Sequence, residues 1–244
     1  MYVWFTDEEI WKLLKGILSP DREKVCEYVE RIVELTGIEP GSRVLDISSR
    51  EGFFSVEFAR RGFKVTSIEV MKPFIENAKK LAKNVGVEIE FINDDIRNFS
   101  RSEYYDLIIH TSIPFGYFEE REDDFRVIKN MFRSLKNGGK FLLLLNGKEL
   151  SLKKFLKKEW MNIKHTYYLV ENTITENWES IITHWTVLKY RKRIEFDTKM
   201  RLFSGTEIYS ILLHSGFHQI KLLGSLEGIP YNENATELFA LATK

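Results

Sequence analysis

The chain has very little cysteine: Cys26 is its only one in 244 residues. A lone thiol forms no internal disulfide, which suits a reducing compartment. Placed among apolar helix positions, Cys26 is expected to be buried and inert. Net charge is also missing, with 36 basic residues against 36 acidic ones. Nothing overall therefore draws the chain to nucleic acid or to an anionic membrane. Long apolar runs are absent. The longest, Phe141 to Leu145, is strand-sized and far below the ~18 residues of a membrane span. The first residues carry neither a basic flank nor an apolar core, so no signal peptide is expected and the expected location is cytoplasmic. The five histidines show no HExxH spacing and no cysteine joins them, so no metal site is expected.

What is present is a strict alternation of short apolar runs and helical patterns. Residues 7–18 place Ile10, Trp11, Leu14 and Leu18 at helical spacing. Ser19-Pro20 reads as the capped start of a second helix running to Thr36-Gly37. Strands are predicted at 43–47, 64–69, 87–92, 105–110 and 140–146, with helices at 52–61, 72–84 and 119–135 between them. This pattern implies an α/β fold with a doubly wound, mostly parallel sheet. It breaks after Asn146. A lysine-rich helix near 151–158 leads into 160–200, which reads as an insert of two or three antiparallel strands. Ser204-Gly205-Thr206-Glu207 is a capping box opening the last helix, and 217–223 with 237–243 form a closing antiparallel pair. The whole reads as a single domain.

In an open α/β sheet, ligands bind beyond the carboxyl ends of the strands. Asp46, Glu69, Asp95 and His110 fall at four successive ends, in order. Carboxylates there accept from ribose hydroxyls and amines, which apolar side chains do not. Taken singly, a strand-end acid is often only a helix cap or a solvated turn residue, and such acids are usually accessible.

The ordered set resembles the class I S-adenosylmethionine-dependent methyltransferases. Val44-Leu45-Asp46 through Gly52 stands where that family's first motif lies. Glu69 resembles the acid that holds both ribose hydroxyls, and Asn93-Asp94-Asp95-Ile96-Arg97 resembles the adenine-contacting segment. Pro114-Phe115-Gly116-Tyr117-Phe118 resembles a Ser-Phe-Gly-Tyr-Phe stretch, and Leu135-Lys136-Asn137-Gly138-Gly139 a turn before strand five. The resemblance implies a seven-stranded Rossmann-like methyltransferase sheet with the last strand antiparallel, an antiparallel β insert, and S-adenosylmethionine as cofactor. It implies a cofactor site of Asp46, Ser48, Arg50, Gly52, Glu69, Val70, Asp94, Asp95, Ile96 and His110. Helices 7–36 and the insert at about 150–200 are expected to cap a substrate lined by Phe115, Tyr117, Trp178 and Trp185. No catalytic residue stands out, with His110 the one weak candidate for a base. A small-molecule N or O nucleophile is the expected acceptor, with protein or RNA the lesser alternative.

One departure bears on all of this. Glycines expected after the first strand are Ser48 and Arg50. An L-residue at either place avoids positive φ or accepts strain. The Arg50 side chain then turns outward, or donates to the methionyl carboxylate of the cofactor. A third outcome is lost cofactor binding, which would leave a non-catalytic binding module. A nicotinamide oxidoreductase is disfavoured, because no G-x-G-x-x-G follows the strand.

Overall fold

The computed structural model describes residues 4–18 and 22–244. Asp7 opens helix α1 (Glu8–Leu18) by accepting the backbone N–H of Glu9 and Ile10 at 2.8 and 3.1 Å. Its apolar stripe buries Ile10, Trp11 and Leu14. Helix α2 covers Arg22–Thr36. The Ser19-Pro20 start expected for it lies outside the described residues. Cys26 on α2 is partly exposed rather than fully buried, because it borders the helix's solvent side.

The Rossmann-like core follows as β1 (Arg43–Ile47), α3 (Phe53–Arg60), β2 (Lys64–Ile68), α4 (Lys72–Val85), β3 (Glu90–Ile92), β4 (Tyr105–Phe115), α5 (Arg121–Ser134) and β5 (Leu135–Leu145). Helix α6 (Lys148–Lys154) leads to strands β6 (Lys158–Ile163), β7 (Thr166–Ile174), β8 (Ser180–Lys189) and β9 (Lys192–Arg201). The chain closes with α7 (Gly205–His214), β10 (His218–Leu223) and β11 (Leu238–Thr243). The main sheet has seven strands in the order β10-β11-β5-β4-β1-β2-β3, with β11 antiparallel to both neighbours and the rest parallel. The order reverses between β1 and β4, so a crevice opens beyond their carboxyl ends.

Strand β3 starts at Glu90 and not at 87, helix α6 ends at Lys154 and not near 158, and three larger differences from the sequence reading follow. Strand β4 runs five residues past His110, and its pairing with β5 shifts register between His110 and Phe115. Asn137-Gly138-Gly139 sits inside β5, at a register shift between Tyr105 and Leu107, instead of forming a separate turn. The insert has four strands, not two or three, in the order β6-β7-β8-β9. Aromatic and β-branched pairs across every ladder support them, such as Trp185 opposite Phe196. The capping box of α7 forms as expected, with Ser204 and Glu207 each bonding the other's backbone.

The insert does not stand apart. Its inner face joins the main core through Tyr168, Val187 and Phe196, and it seats the N-terminal segment. Tyr168 Oη donates to the Leu13 carbonyl at 2.8 Å, and Trp4 Nε1 to the Lys199 carbonyl at 3.3 Å. Helix α1 is thus held between the insert and the strand ends. Among the described residues, no helix is long and apolar enough to cross a membrane.

Candidate active site

The turn after β1 takes the strained course. Ser48 and Arg50 both adopt left-handed backbone, with φ of 55° and 52°. Each costs on the order of 1–2 kcal/mol against glycine. The local hydrogen bonds that hold the turn offset this. Arg50 N donates to Glu69 Oε2 at 2.8 Å, Ser49 N to the Ile68 carbonyl at 3.1 Å, and Ser67 Oγ to Ser49 Oγ at 2.7 Å. The Arg50 side chain does not turn outward. It is 3% exposed, its guanidinium lies over the Trp11 ring at 4.6 Å, and Nη1 donates to the Leu18 carbonyl at 2.6 Å. A cation on an aromatic face keeps a favourable electrostatic partner after leaving water.

Glu69 is buried, contrary to the accessibility usual for a strand-end acid. Its oxygens accept the backbone N–H groups of Arg50 and Met71, at 2.8 and 3.0 Å. Burial raises its pKa, and those two backbone bonds oppose the rise. A carboxylate has about four acceptor sites, so these bonds leave capacity for a ligand diol. Asn93 Nδ2 braces the loop by donating to the carbonyls of Glu69 and Val70, both at 2.8 Å.

The third junction is more committed. Asp95 is held side-on by Arg97, whose Nε reaches both carboxylate oxygens at 3.0 Å and whose Nη2 reaches Oδ2 at 2.6 Å. Arg97 continues to Asp123 at 2.7 Å and lies over the Phe118 ring at 5.1 Å. Asp94 is exposed and accepts the Asp95 N–H.

The 113–118 segment closes the crevice. Tyr117 Oη is 2.6 Å from Ser48 Oγ and 3.3 Å from His110 Nε2. Burial raises the Tyr117 pKa above its ordinary value and lowers that of His110 to about 4. Neutral His110 is therefore the form at physiological pH. A buried ion pair between Arg201 and Asp124 anchors this segment, with Arg201 also donating to the carbonyls of Phe118 and Glu119.

Ser48, Arg50, Glu69, Val70, Asp94, Asp95, Ile96 and Tyr117 converge on one cavity beyond the strand ends. Phe5, Trp11, Phe74, Ile113 and Phe118 complete its wall. Of these five, sequence reasoning named Phe118 only within the Pro114–Phe118 stretch and did not mark Phe5, Trp11, Phe74 or Ile113 as lining residues. The apolar stripe of α1 was the one available signal, and it marked Trp11 as buried without saying against what. The cavity measures about 30 Å³, enough for a water or two.

The other expected site residues lie outside its wall. Asp46 is fully buried beneath the turn, where Ser55 Oγ donates to Oδ2 at 2.5 Å and burial raises its pKa to about 7. Gly52 caps α3 at φ 73°, packed so closely that a Cβ would meet Ala78 at 2.7 Å. His110 lies behind Tyr117. Phe115 is core, stacked near Phe203. Trp185 packs on Phe196 within the insert, and Trp178 is exposed at the β7–β8 connection.

Residues 44–139 match the model of a methyltransferase domain. The fold and this match support a class I S-adenosylmethionine-dependent methyltransferase. The matched span contains every residue of the cavity wall except Phe5 and Trp11. The chain is 29% identical over 165 residues to the carboxy-S-adenosyl-L-methionine synthase of Nautilia profundicola, covering 66% of this chain and 68% of that protein. It is 28% identical to the ubiquinone biosynthesis O-methyltransferase of Rickettsia canadensis, over 48% of this chain and 45% of that one. The chain thus spans about half to two thirds of the length of these curated relatives. A solved S-adenosylmethionine-dependent methyltransferase from Clostridium acetobutylicum shares its fold, with a TM-score of 0.77, 16% identity and 96% of each chain covered.

The residues present fit S-adenosylmethionine. Glu69 offers acceptors for a diol, Val70, Phe74 and Ile96 offer apolar surface, and Arg50 offers a cation beside them. The chain keeps this donor and acceptor set although two of the expected glycines are Ser48 and Arg50.

Proposed function

We propose that this enzyme transfers the methyl group of S-adenosylmethionine to a nitrogen or oxygen of a small molecule. The observation that carries the reading is the cavity's enclosure. Trp11 and Phe5 from the N-terminal segment, Tyr117 and Phe118 from the 113–118 segment, and the strand ends surround it. Its volume of about 30 Å³ is far below the roughly 300 Å³ of a small-ligand pocket, so this reading requires α1 to yield when the site is loaded. A site walled on one side by the N-terminal segment and on the other by the 113–118 segment suits a compact acceptor better than a polymer.

The sulfonium supplies an activated methyl group, so the protein's work is mainly alignment and exclusion of water. In this reading Glu69 holds the ribose hydroxyls, with Ser48, Asp94 and Asp95 at the rim. Tyr117 bounds the reacting end, fixed by Ser48 and by neutral His110. The depressed basicity of His110 disfavours it as general base, so the acceptor arrives as a free amine or an already acidic hydroxyl. The β insert acts through the cap, since Tyr168 and Lys199 hold the α1 segment while Trp178 and Trp185 stay clear of the cavity. The name of one curated relative, a ubiquinone biosynthesis O-methyltransferase, supports a small acceptor, while that of another, a 23S rRNA methyltransferase, favours the RNA alternative.

Labelled S-adenosylmethionine offered with a panel of small amines and hydroxy compounds tests this. Methylated product in the small-molecule fraction is the expected result. Label appearing only in added RNA or protein would reject the small-acceptor reading.

A further inference from the structure

We propose that the outer face of the β insert is a self-association surface, joining two copies of this chain sheet to sheet about a two-fold axis parallel to the strands. The inference is independent of the methyl-transfer reading. Side chains alternate along β6–β9, and the inward ones, among them Tyr168, Val187 and Phe196, join the main core. An antiparallel sheet with one solvated face ordinarily turns polar residues outward. Here Trp160 is 71% exposed, and Tyr167, Leu169 and Leu188 are exposed beside it. Strand register makes these four one patch: Trp160 stands opposite Leu169, and Tyr167 opposite Leu188. The Trp160 and Tyr167 rings lie 6.5 Å apart. The four line an open hollow of about 400 Å³. Contiguous exposed apolar surface of this kind marks a contact face.

The charges around the patch identify what covers it. One row of paired residues crosses the sheet as Lys158, Glu171, His184 and Asp197, alternating base and acid. Turning a second copy half a turn about an axis between β7 and β8 lays its β6 on β9 and its β7 on β8. Lys158 of one copy then meets Asp197 of the other, and Glu171 meets His184. In the neighbouring rows Tyr167 meets Leu188, Leu169 meets Thr186, and Trp160 meets Glu195 at the rim. An axis across the strands would instead set Tyr167 on Glu171 and Leu188 on His184. Only the parallel axis matches acid with base while keeping Tyr167 on an apolar partner, and symmetry makes every such contact twice. Twisted sheets packed this way cross at about 30°, the usual angle for two aligned sheets.

The area suffices for such a pair. Four strands about 4.8 Å apart, six to ten residues long at about 3.3 Å each, present roughly 550 Å² in plan. Two faces together cover about 1,100 Å², which clears the roughly 1,000 Å² of a specific contact. Equal numbers of basic and acidic residues give two copies no net repulsion. A lipid surface fits less well, because Glu171, Glu195 and Asp197 are exposed around the patch and repel anionic headgroups.

Sedimentation of the full chain over a micromolar concentration series tests the surface. The parent should reach the mass of two chains. Trp160→Glu combined with Leu169→Glu should stay monomeric throughout and keep the parent's circular dichroism, since both side chains already face water. Charge reversal tests the register without touching the apolar patch. Lys158→Glu and Asp197→Lys, each alone, set like charges opposite one another and should weaken self-association by about tenfold or more. Mixed in equal amounts, the two variants should recover assembly near the parent's, because each offers the charge that the other needs. A parent that stays monomeric would overturn the proposal, and its retention on neutral phospholipid vesicles through Trp160 would assign the face to a lipid surface instead. A dimer that survives the paired glutamate changes would overturn it as well. So would two reversal variants whose mixture assembles no better than either alone. None of these outcomes bears on methyl transfer.

Discussion

Asp46 and His110 lie on adjacent, parallel strands, where Asp46 pairs with Ile109 beside His110; both are fully buried, and burial moves them in opposite directions. The carboxyl rises to about 7 and the imidazole falls to about 4. Each prefers its neutral form for the same reason, which is loss of water around a charge. Their effects on stability run in one pH window with opposite sign. Between about pH 4 and 7 the unfolded chain's Asp46 loses its proton while the folded one keeps it, so this residue's contribution falls as pH rises. Between about pH 6.5 and 4 the unfolded His110 gains a proton that the folded one refuses, so its contribution falls as pH falls. Asp46→Asn should remove the first slope and leave stability rising with pH relative to the parent. His110→Gln should do the reverse. Urea midpoints at several pH values read both, and parallel curves for parent and variants would show that these groups titrate normally.

Glu69 holds the turn as well as facing the cavity. Glu69→Ala should weaken S-adenosylhomocysteine binding on the order of tenfold to a hundredfold, from loss of a charged acceptor worth roughly 1.5–3 kcal/mol. It should also lower stability, because Arg50 N and Met71 N lose their partner. Glu69→Gln keeps one acceptor oxygen and should spare part of both. Calorimetry beside thermal unfolding checks the pair, and unchanged affinity in a folded variant would remove Glu69 from the cofactor site.

Gly116 has φ 110°, and a Cβ there would stand 2.8 Å from Phe203 and 3.0 Å from the Arg201 carbonyl. Gly116→Ala should cost on the order of 1–3 kcal/mol in unfolding free energy. It should reduce turnover more than a surface alanine does, since Tyr117 and Phe118 follow directly. A variant with parent stability would mean the segment yields freely.

The Arg201–Asp124 pair joins the last strand of the insert to α5 with both side chains buried, and Arg201 also bonds the 113–118 segment through the Phe118 carbonyl. Removing one partner strands the other. Arg201→Met should destabilise by about 3–5 kcal/mol, and Arg201→Met with Asp124→Leu should recover much of it. A double variant no better than the single would show that the hydrogen bonds to the Phe118 and Glu119 carbonyls, and not the charge pairing, do the anchoring.

Closing of α1 is measurable by proteolysis. Trypsin cleavage at Lys12 or Lys15 should slow when S-adenosylhomocysteine is bound and speed up in Trp11→Ala, which loses the contact with Arg50. Equal cleavage with and without ligand would argue that the cap does not respond to loading.

The seven-stranded sheet and its strand-end acids were legible in the sequence, because period and punctuation are local. A buried strand shows as a short apolar run, and an acid after it marks the carboxyl end whatever packs nearby. The capping box at Ser204 and Glu207 was legible for the same reason. The four-stranded insert was undercounted, since the turns at Lys164-His165, between β6 and β7, and at Tyr190-Arg191, between β8 and β9, carry no glycine. What only the tertiary structure decided is which residues share the cavity. Trp11 and Arg50 are 39 residues apart in sequence, and their meeting depends on the insert holding α1 against the strand ends. The strained turn was decided there too. Local preference disfavours φ 52° at arginine, and a hydrogen bond to Glu69, aromatic faces and the Leu18 carbonyl together outweigh it.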